Sequence, residues 1–151
     1  MAIVEAEPAG EIEEAFAEFQ EQLNLMFVRA RSLWKDSAAR IHSDLQPSGY
    51  KLLTFIAHAG TANAHHLAER FETDKSVVSR QVRMLEDLGL VESRPDDQDG
   101  RQRVLTVTPA ARTALDELKC DNVARLRGIL AELSVDEVQA ASRAFRLLAE
   151  M

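Results

Sequence analysis

The chain has a single cysteine, Cys120, no apolar run approaching a membrane span, and no lysine or arginine in its first 21 residues. One cysteine cannot build an internal disulfide framework, and it suits a reducing compartment. A spanning helix needs about 20 consecutive apolar residues, so no membrane segment is expected. Met1 to Glu14 is acidic and lacks a basic region followed by an apolar one, so it does not read as a secretory signal. These absences together predict a cytoplasmic protein. Also missing are an internal repeat, a low-complexity segment, a glycine-rich phosphate loop, a Gly-x-Ser-x-Gly elbow and a convergent nucleophile–base pair. Nothing in the residues therefore points to an enzyme or calls for a cofactor.

What is present is ordinary globular material. The 151 residues are 46% hydrophobic and 28% charged, enough for one domain with a core. The net charge of -7 at first opposes nucleic-acid binding. Its placement removes the objection. Residues 1–21 hold seven glutamates, which leaves eighteen acids against eighteen Lys and Arg in the remainder. Counterion release depends on local contacts with phosphates, so clustering matters more than the total.

Apolar residues at spacings of three and four (Phe16, Phe19, Leu23, Met26, Phe27, Ala30, Leu33, Trp34, Ile41) predict one helix from about Ile12 to Asp44. So long a stripe exceeds what a small core takes from one helix and predicts a partner surface. Gln46-Pro47-Ser48-Gly49 breaks it. A second helix is expected over Pro47 to Ala59, stopped by Gly60, and a third over Ala64 to Phe71, with Asn63 as N-cap and Leu67, Ala68 and Phe71 facing inward. A fourth follows over Lys75 to Leu88, capped by Thr73 or Asp74 and ended by Gly89, with Val78, Val82, Leu85 and Leu88 as its buried edge. Leu90–Arg94 and Arg103–Thr108 switch to strand character around an Asp-Gly turn. Thr108-Pro109 opens a helix reaching about Leu133, and Ser134 with Glu137 forms a capping box for a last one.

Two short helices, a tight turn and a hairpin make a winged helix-turn-helix, whose second helix fits the major groove. The fold class expected is mostly α with a small β-hairpin wing. Opposite its buried edge the fourth helix carries Lys75, Ser76, Ser79, Arg80 and Arg83, with Val77 beside them to meet a thymine methyl. Serine and arginine bond base edges, while lysine and arginine neutralise phosphates. In the hairpin, Arg94, Arg101 and Arg103 flank Asp96, Asp97 and Asp99. Three carboxylates cannot all face phosphates, so some must be neutralised or turned aside; Asp99 can pair with Arg94 or Arg101, and Arg101, next to Gly100, is best placed to enter a minor groove.

His66-Leu67-Ala68-Glu69-Arg70-Phe71, Lys75 through Glu86, Leu88-Gly89-Leu90-Val91, Asp99-Gly100-Arg101 and Thr106-Val107-Thr108-Pro109, in that order and spacing, closely resemble the multiple antibiotic resistance regulator (MarR) family. The resemblance implies a homodimer in which the first helix and the last two interlock. It also implies a pseudo-palindromic double-stranded DNA operator, repression, and release by a small anionic or phenolic effector. The chain then divides into a disordered acidic arm (1–11), a helical dimerisation region (12–44 and 109–151) and a DNA-binding winged helix-turn-helix (45–108). Two departures stand out: Ala111 where the family often has glycine, and Gln46 where it often has threonine.

Some members of the family sense oxidants through an N-terminal cysteine, but Cys120 falls in the fifth helix and reads as a small half-buried residue. Others bind zinc. His42, His58, His65 and His66 form no His-x-x-x-His pair, and adjacent His65 and His66 diverge by about 100° on a helix, so no metal site is expected. An effector pocket, if the resemblance holds there, would draw on Phe27, Arg31, Trp34 and Tyr50, with Arg31 holding a carboxylate or phenolate; core packing explains the aromatics equally well. The acidic arm motivates an alternative function, a winged-helix protein–protein interaction module that does not bind DNA.

Overall fold

A computed structural model describes residues 9–151. Its elements are α1 (Ala9–Ile41), α2 (Pro47–Ala59), α3 (Ala64–Arg70), α4 (Lys75–Asp87), β1 (Val91–Pro95), β2 (Arg103–Val107), α5 (Pro109–Ile129) and α6 (Val135–Ala149). Residues 1–8 of the acidic arm lie outside the described residues, and residues 9–11 are the first turn of α1. Contacts divide the chain into two compact units, one ending at Arg112 and the other running from Thr113 to Met151.

The first unit has a core where α2, α3, α4 and the hairpin meet. Leu52, Leu53, Ile56, Leu67, Val78, Val82, Leu85, Leu90, Val91 and Leu105 are buried in it. Leu53, Ile56, Leu67, Leu85 and Val78 are its largest fully enclosed side chains. Each contributes about 1.5–3 kcal/mol by leaving water, and truncating Leu53 to alanine would cost about 2–5 kcal/mol. β1 and β2 pair antiparallel, with Val91 opposite Val107 and Pro95 opposite Arg103. Ala62 extends this ladder through reciprocal backbone bonds with Leu105, which fix the loop before α3 to the wing.

Helix starts follow cap chemistry. Asn63 accepts from the His66 N–H at 2.8 Å and starts α3. Gln46 occupies the N-cap of α2 and Asp74 that of α4, neither with a side-chain cap bond; Pro47 supplies the preset first turn of α2. The chain leaves α3 through Glu72, a non-glycine residue at φ 48, and leaves α4 through Gly89 at φ 71, a left-handed position where glycine carries no Cβ penalty. Thr108 then joins two elements. Its hydroxyl donates to the Gly89 carbonyl at 2.8 Å and accepts from the Ala111 N–H at 3.1 Å, binding the exit of α4 to the start of α5. Arg112 adds a bond to the Ala57 carbonyl at the end of α2.

Some expectations shift. α3 ends at Arg70, and Phe71 is 36% exposed; it lies edge-on to Phe55 at the rim, not inside the core. α4 ends at Asp87, with Leu88 half-buried as its C-cap. α5 stops at Ile129, short of Leu133, as the chain winds into the turn before Ser134. Cys120 is exposed. The stripe of α1 is largely uncovered within one chain: Ala38 is its buried residue, while Phe16 is 67% and Phe27 68% exposed. In the second unit α6 buries none of its residues, and Ile129, Phe145 and Leu147 stand in the open.

Candidate nucleic-acid interface

α4 buries Val78, Val82 and Leu85 and turns Lys75, Ser76, Ser79, Arg80 and Arg83 outward, all exposed, with Val77 half-buried at the margin. The 3.6-residue period puts Val78, Val82 and Leu85 on one side and Ser76, Arg80 and Arg83 on the other with Ser79 at the flank, while Lys75, in line with the buried stripe and not opposite it as expected, is exposed because it opens the helix. Acids on this helix wait until Glu86 and Asp87, in its last turn.

The wing is organised by its own carboxylates. Asp96 Oδ1 accepts from the backbone N–H of Gln98 at 2.8 Å and of Asp99 at 3.4 Å, and Asp99 Oδ1 accepts from the Arg101 N–H at 3.1 Å. These are local side-chain turns of the kind aspartate favours. They correct the expected pairing of Asp99 with an arginine side chain: its carboxylate closes the turn two residues on, and Arg94 pairs instead with Asp97, three residues away, at 3.7 Å. Arg103 Nη2 reaches across the hairpin to the carbonyl and hydroxyl of Ser93, both at 2.9 Å. Among the described residues the Arg101 guanidinium makes no such bond and is exposed at the tip.

Between α4 and the wing lies a groove of about 520 Å³ that gathers Lys75, Ser79, Arg83, Arg101 and Arg103. Ser76, Val77, Arg80, Arg94 and Asp99 stand outside it. The groove also holds residues that the sequence did not assign to a DNA-binding face: Asn63 and His65 from the start of α3, Glu86, and Gln102 from the wing. Asn63 and His65 reach the groove because the start of α3 lies beside α4, which no spacing in the sequence announces. His65 pairs with Glu69 at 3.2 Å, while the His66 ring faces the Asn63 amide at 3.3 Å. Among the described residues no three His, Cys, Asp or Glu gather as metal ligands.

The four residues weighed for an effector pocket all belong to α1 and α2. Phe27 and Arg31 are exposed, Trp34 is 39% exposed and Tyr50 half-buried. Lys51, which sequence reasoning passed over, sets its Nζ 4.0 Å from the centre of the Trp34 ring, so a cation already covers one aromatic face.

The sequence pattern of the MarR family matches residues 43–102, from the loop after α1 to the wing. A relative from Bacillus subtilis (strain 168), the uncharacterized HTH-type transcriptional regulator YxaD, is 32% identical over 111 residues, spanning 74% of this chain and 77% of its own. The chain belongs to the MarR family. It is thus a winged-helix transcriptional regulator and not an enzyme. The fold agrees with solved structures at lower identity. The Streptococcus pneumoniae FabT structure, in complex with DNA, superposes with a TM-score of 0.77 at 17% identity, covering 89% of this chain and 95% of that one. The YusO protein from Bacillus subtilis gives 0.70 at 20% identity, over 95% and 99%.

Proposed function

We propose that this MarR-family chain is a cytoplasmic homodimeric repressor that grips a pseudo-palindromic operator and lets go when a small anionic or phenolic molecule binds. The observation that carries the reading is the one-sided basic and hydroxyl face of α4, set beside an arginine, Arg101, that the wing leaves without an internal partner. α4 is the right size for the major groove, where Ser76, Ser79, Arg80 and Arg83 meet base edges and Lys75 meets phosphate. Arg101 enters the adjacent minor groove, Asp99 shapes the tip behind it, and Arg94 and Arg103 support the wing close to the backbone. The structure of FabT in complex with DNA supports DNA binding by the shared fold.

Dimerisation follows from apolar area. The faces of α1, α5 and α6 expose Phe16, Phe27, Leu126, Ile129 and Phe145 within a single chain. Patches of that kind on a lone protein mark an interaction surface. A second copy, with residues 12–44 and 109–151 as the interface, covers them and presents two α4 helices with two-fold symmetry. Effector binding belongs near Phe27, Arg31, Trp34 and Tyr50, where an arginine and aromatic rings supply charge and stacking.

The test is a titration of duplexes from the promoters of its own and neighbouring genes, with sedimentation of the free protein. The reading expects specific retardation that persists at physiological salt and a dimer at micromolar concentration. Retention of no promoter fragment above random DNA favours the interaction-module alternative, and a stable monomer contradicts the proposed assembly.

A further inference from the structure

Next to the groove-reading face, α4 makes a polar contact that the packing of its apolar side does not require. Gln81 Nε2 donates to Ser48 Oγ at 3.0 Å, and the same hydroxyl lies 3.5 Å from Gln81 Oε1, so one serine faces both ends of the amide. Ser48 sits in the first turn of α2, whose N-cap, Gln46, makes no side-chain cap bond. Its neighbour Gly49 is buried, packed tightly under Leu45 and at ordinary contact distance from α4. A Cβ there would meet Leu45 Cδ1 at 3.0 Å, Leu85 Cδ2 at 3.6 Å and Gln81 Oε1 at 3.7 Å.

We propose that Ser48 and Gln81 are positioning residues that set the roll of α4 about its own axis, and through it the direction in which Arg80 and Arg83 project. The inference rests on the reading of α4 as the base-reading helix. The two helices are in contact, and apart from Gly49 their buried residues are aliphatic: Leu52, Leu53 and Ile56 on α2, and Val78, Val82 and Leu85 on α4. Apolar contact is non-directional and tolerates small rotations, whereas a hydrogen bond loses strength quickly with misalignment. Gln81 directly follows Arg80 and lies two residues before Arg83, so any roll that breaks the Ser48 contact also swings both arginines. Base recognition depends on bidentate geometry and suffers from such a swing, while phosphate attraction, which depends on charge and distance, suffers little.

The experiment compares Ser48→Ala, Gln81→Met, the double variant and Ser48→Thr with wild type, on the operator duplex and on a scrambled duplex of equal length at one salt concentration. Ser48→Ala and Gln81→Met are expected to lower the operator-to-scrambled affinity ratio about three- to tenfold, the range of one net hydrogen bond. The double variant should be no worse than either single, as for two residues sharing one interaction, and Ser48→Thr, which keeps the hydroxyl, should stay within about twofold of wild type. A Ser48→Ala loss equal on both duplexes makes Ser48 a phosphate contact and overturns the proposal, as do single variants whose effects simply add. Amide hydrogen exchange without DNA supplies a second arm. Faster exchange in α4 with β1 unchanged supports the clasp, and an unchanged α4 overturns it. Should wild type itself fail to distinguish the duplexes, the base-reading assignment falls, and the exchange arm alone decides whether Ser48 and Gln81 hold the helix.

Discussion

Asp99 folds the wing tip onto its own neighbour: its Oδ1 accepts the backbone N–H of Arg101 at 3.1 Å. Under the proposed function, a carboxylate among groups that face phosphates is a cost unless it shapes them. Here it directs the chain carrying Arg101 and leaves that guanidinium pointing outward.

The comparison of Asp99→Asn with Asp99→Ala isolates this role. Asparagine keeps the side-chain turn and removes the charge, so it should bind operator at least as well as wild type. Alanine removes both and should bind about two- to tenfold more weakly than asparagine. Arg101→Ala should weaken binding and reduce the slope of log affinity against log salt by about one. Titrations at several salt concentrations read all three.

Arg80 lies on the exposed centre of the α4 face. Arg80→Ala should cost about 1–3 kcal/mol on the operator and flatten the preference at one base position in each half-site, with a smaller loss on random DNA. Selection of bound sequences from a randomised pool measures both.

Gln46 has the extended backbone of an N-cap (φ -84, ψ 157) but no side-chain cap bond. Threonine at this position supplies a hydroxyl for the free N–H groups of the first turn of α2. Gln46→Thr should therefore stabilise the fold by about 0.5–1 kcal/mol, a rise of about 1–4 °C in the thermal midpoint by calorimetry.

Glu137 and Ser134 close a capping box: the Ser134 N–H donates to Glu137 Oε1 at 3.0 Å, and the Glu137 N–H to Ser134 Oγ at 3.2 Å. The Ser134 backbone N–H, then its side chain, hold the Glu137 carboxyl below the usual carboxylate value. A folded-state pKa below the unfolded one means stability that is present above the unfolded value and lost as pH falls through the folded one. Glu137→Ala should lower stability at neutral pH, and its difference from wild type should shrink as the solution is acidified through that lowered pKa. Denaturant midpoints across the acid range check the sign.

The helix order and the wing were legible because local rules act there undisturbed. Asn63 capped α3, the α2 bounds Pro47–Ala59 followed from proline and glycine, and Ser134 with Glu137 announced α6. Less legible were features decided by three-dimensional competition. Asp99 had several candidate donors in sequence, and the shortest loop to a backbone N–H won over a guanidinium. Phe71 follows the apolar period, yet α3 ends before it and leaves it on the rim beside Phe55. Asn63 and His65 enter the groove because α3 starts beside α4, and Ser48 meets Gln81 across 33 residues, which no periodicity encodes.

The most direct test of the account is a DNase footprint of the purified protein on its own promoter. A protected, pseudo-palindromic segment is expected, with two half-sites about one helical turn (roughly 34–36 Å) apart that fill together as protein is added. Protection should fail when Arg80 and Arg101 are both replaced by alanine. Protection of a single half-site at saturation, or an unchanged footprint from the double variant, would contradict the account.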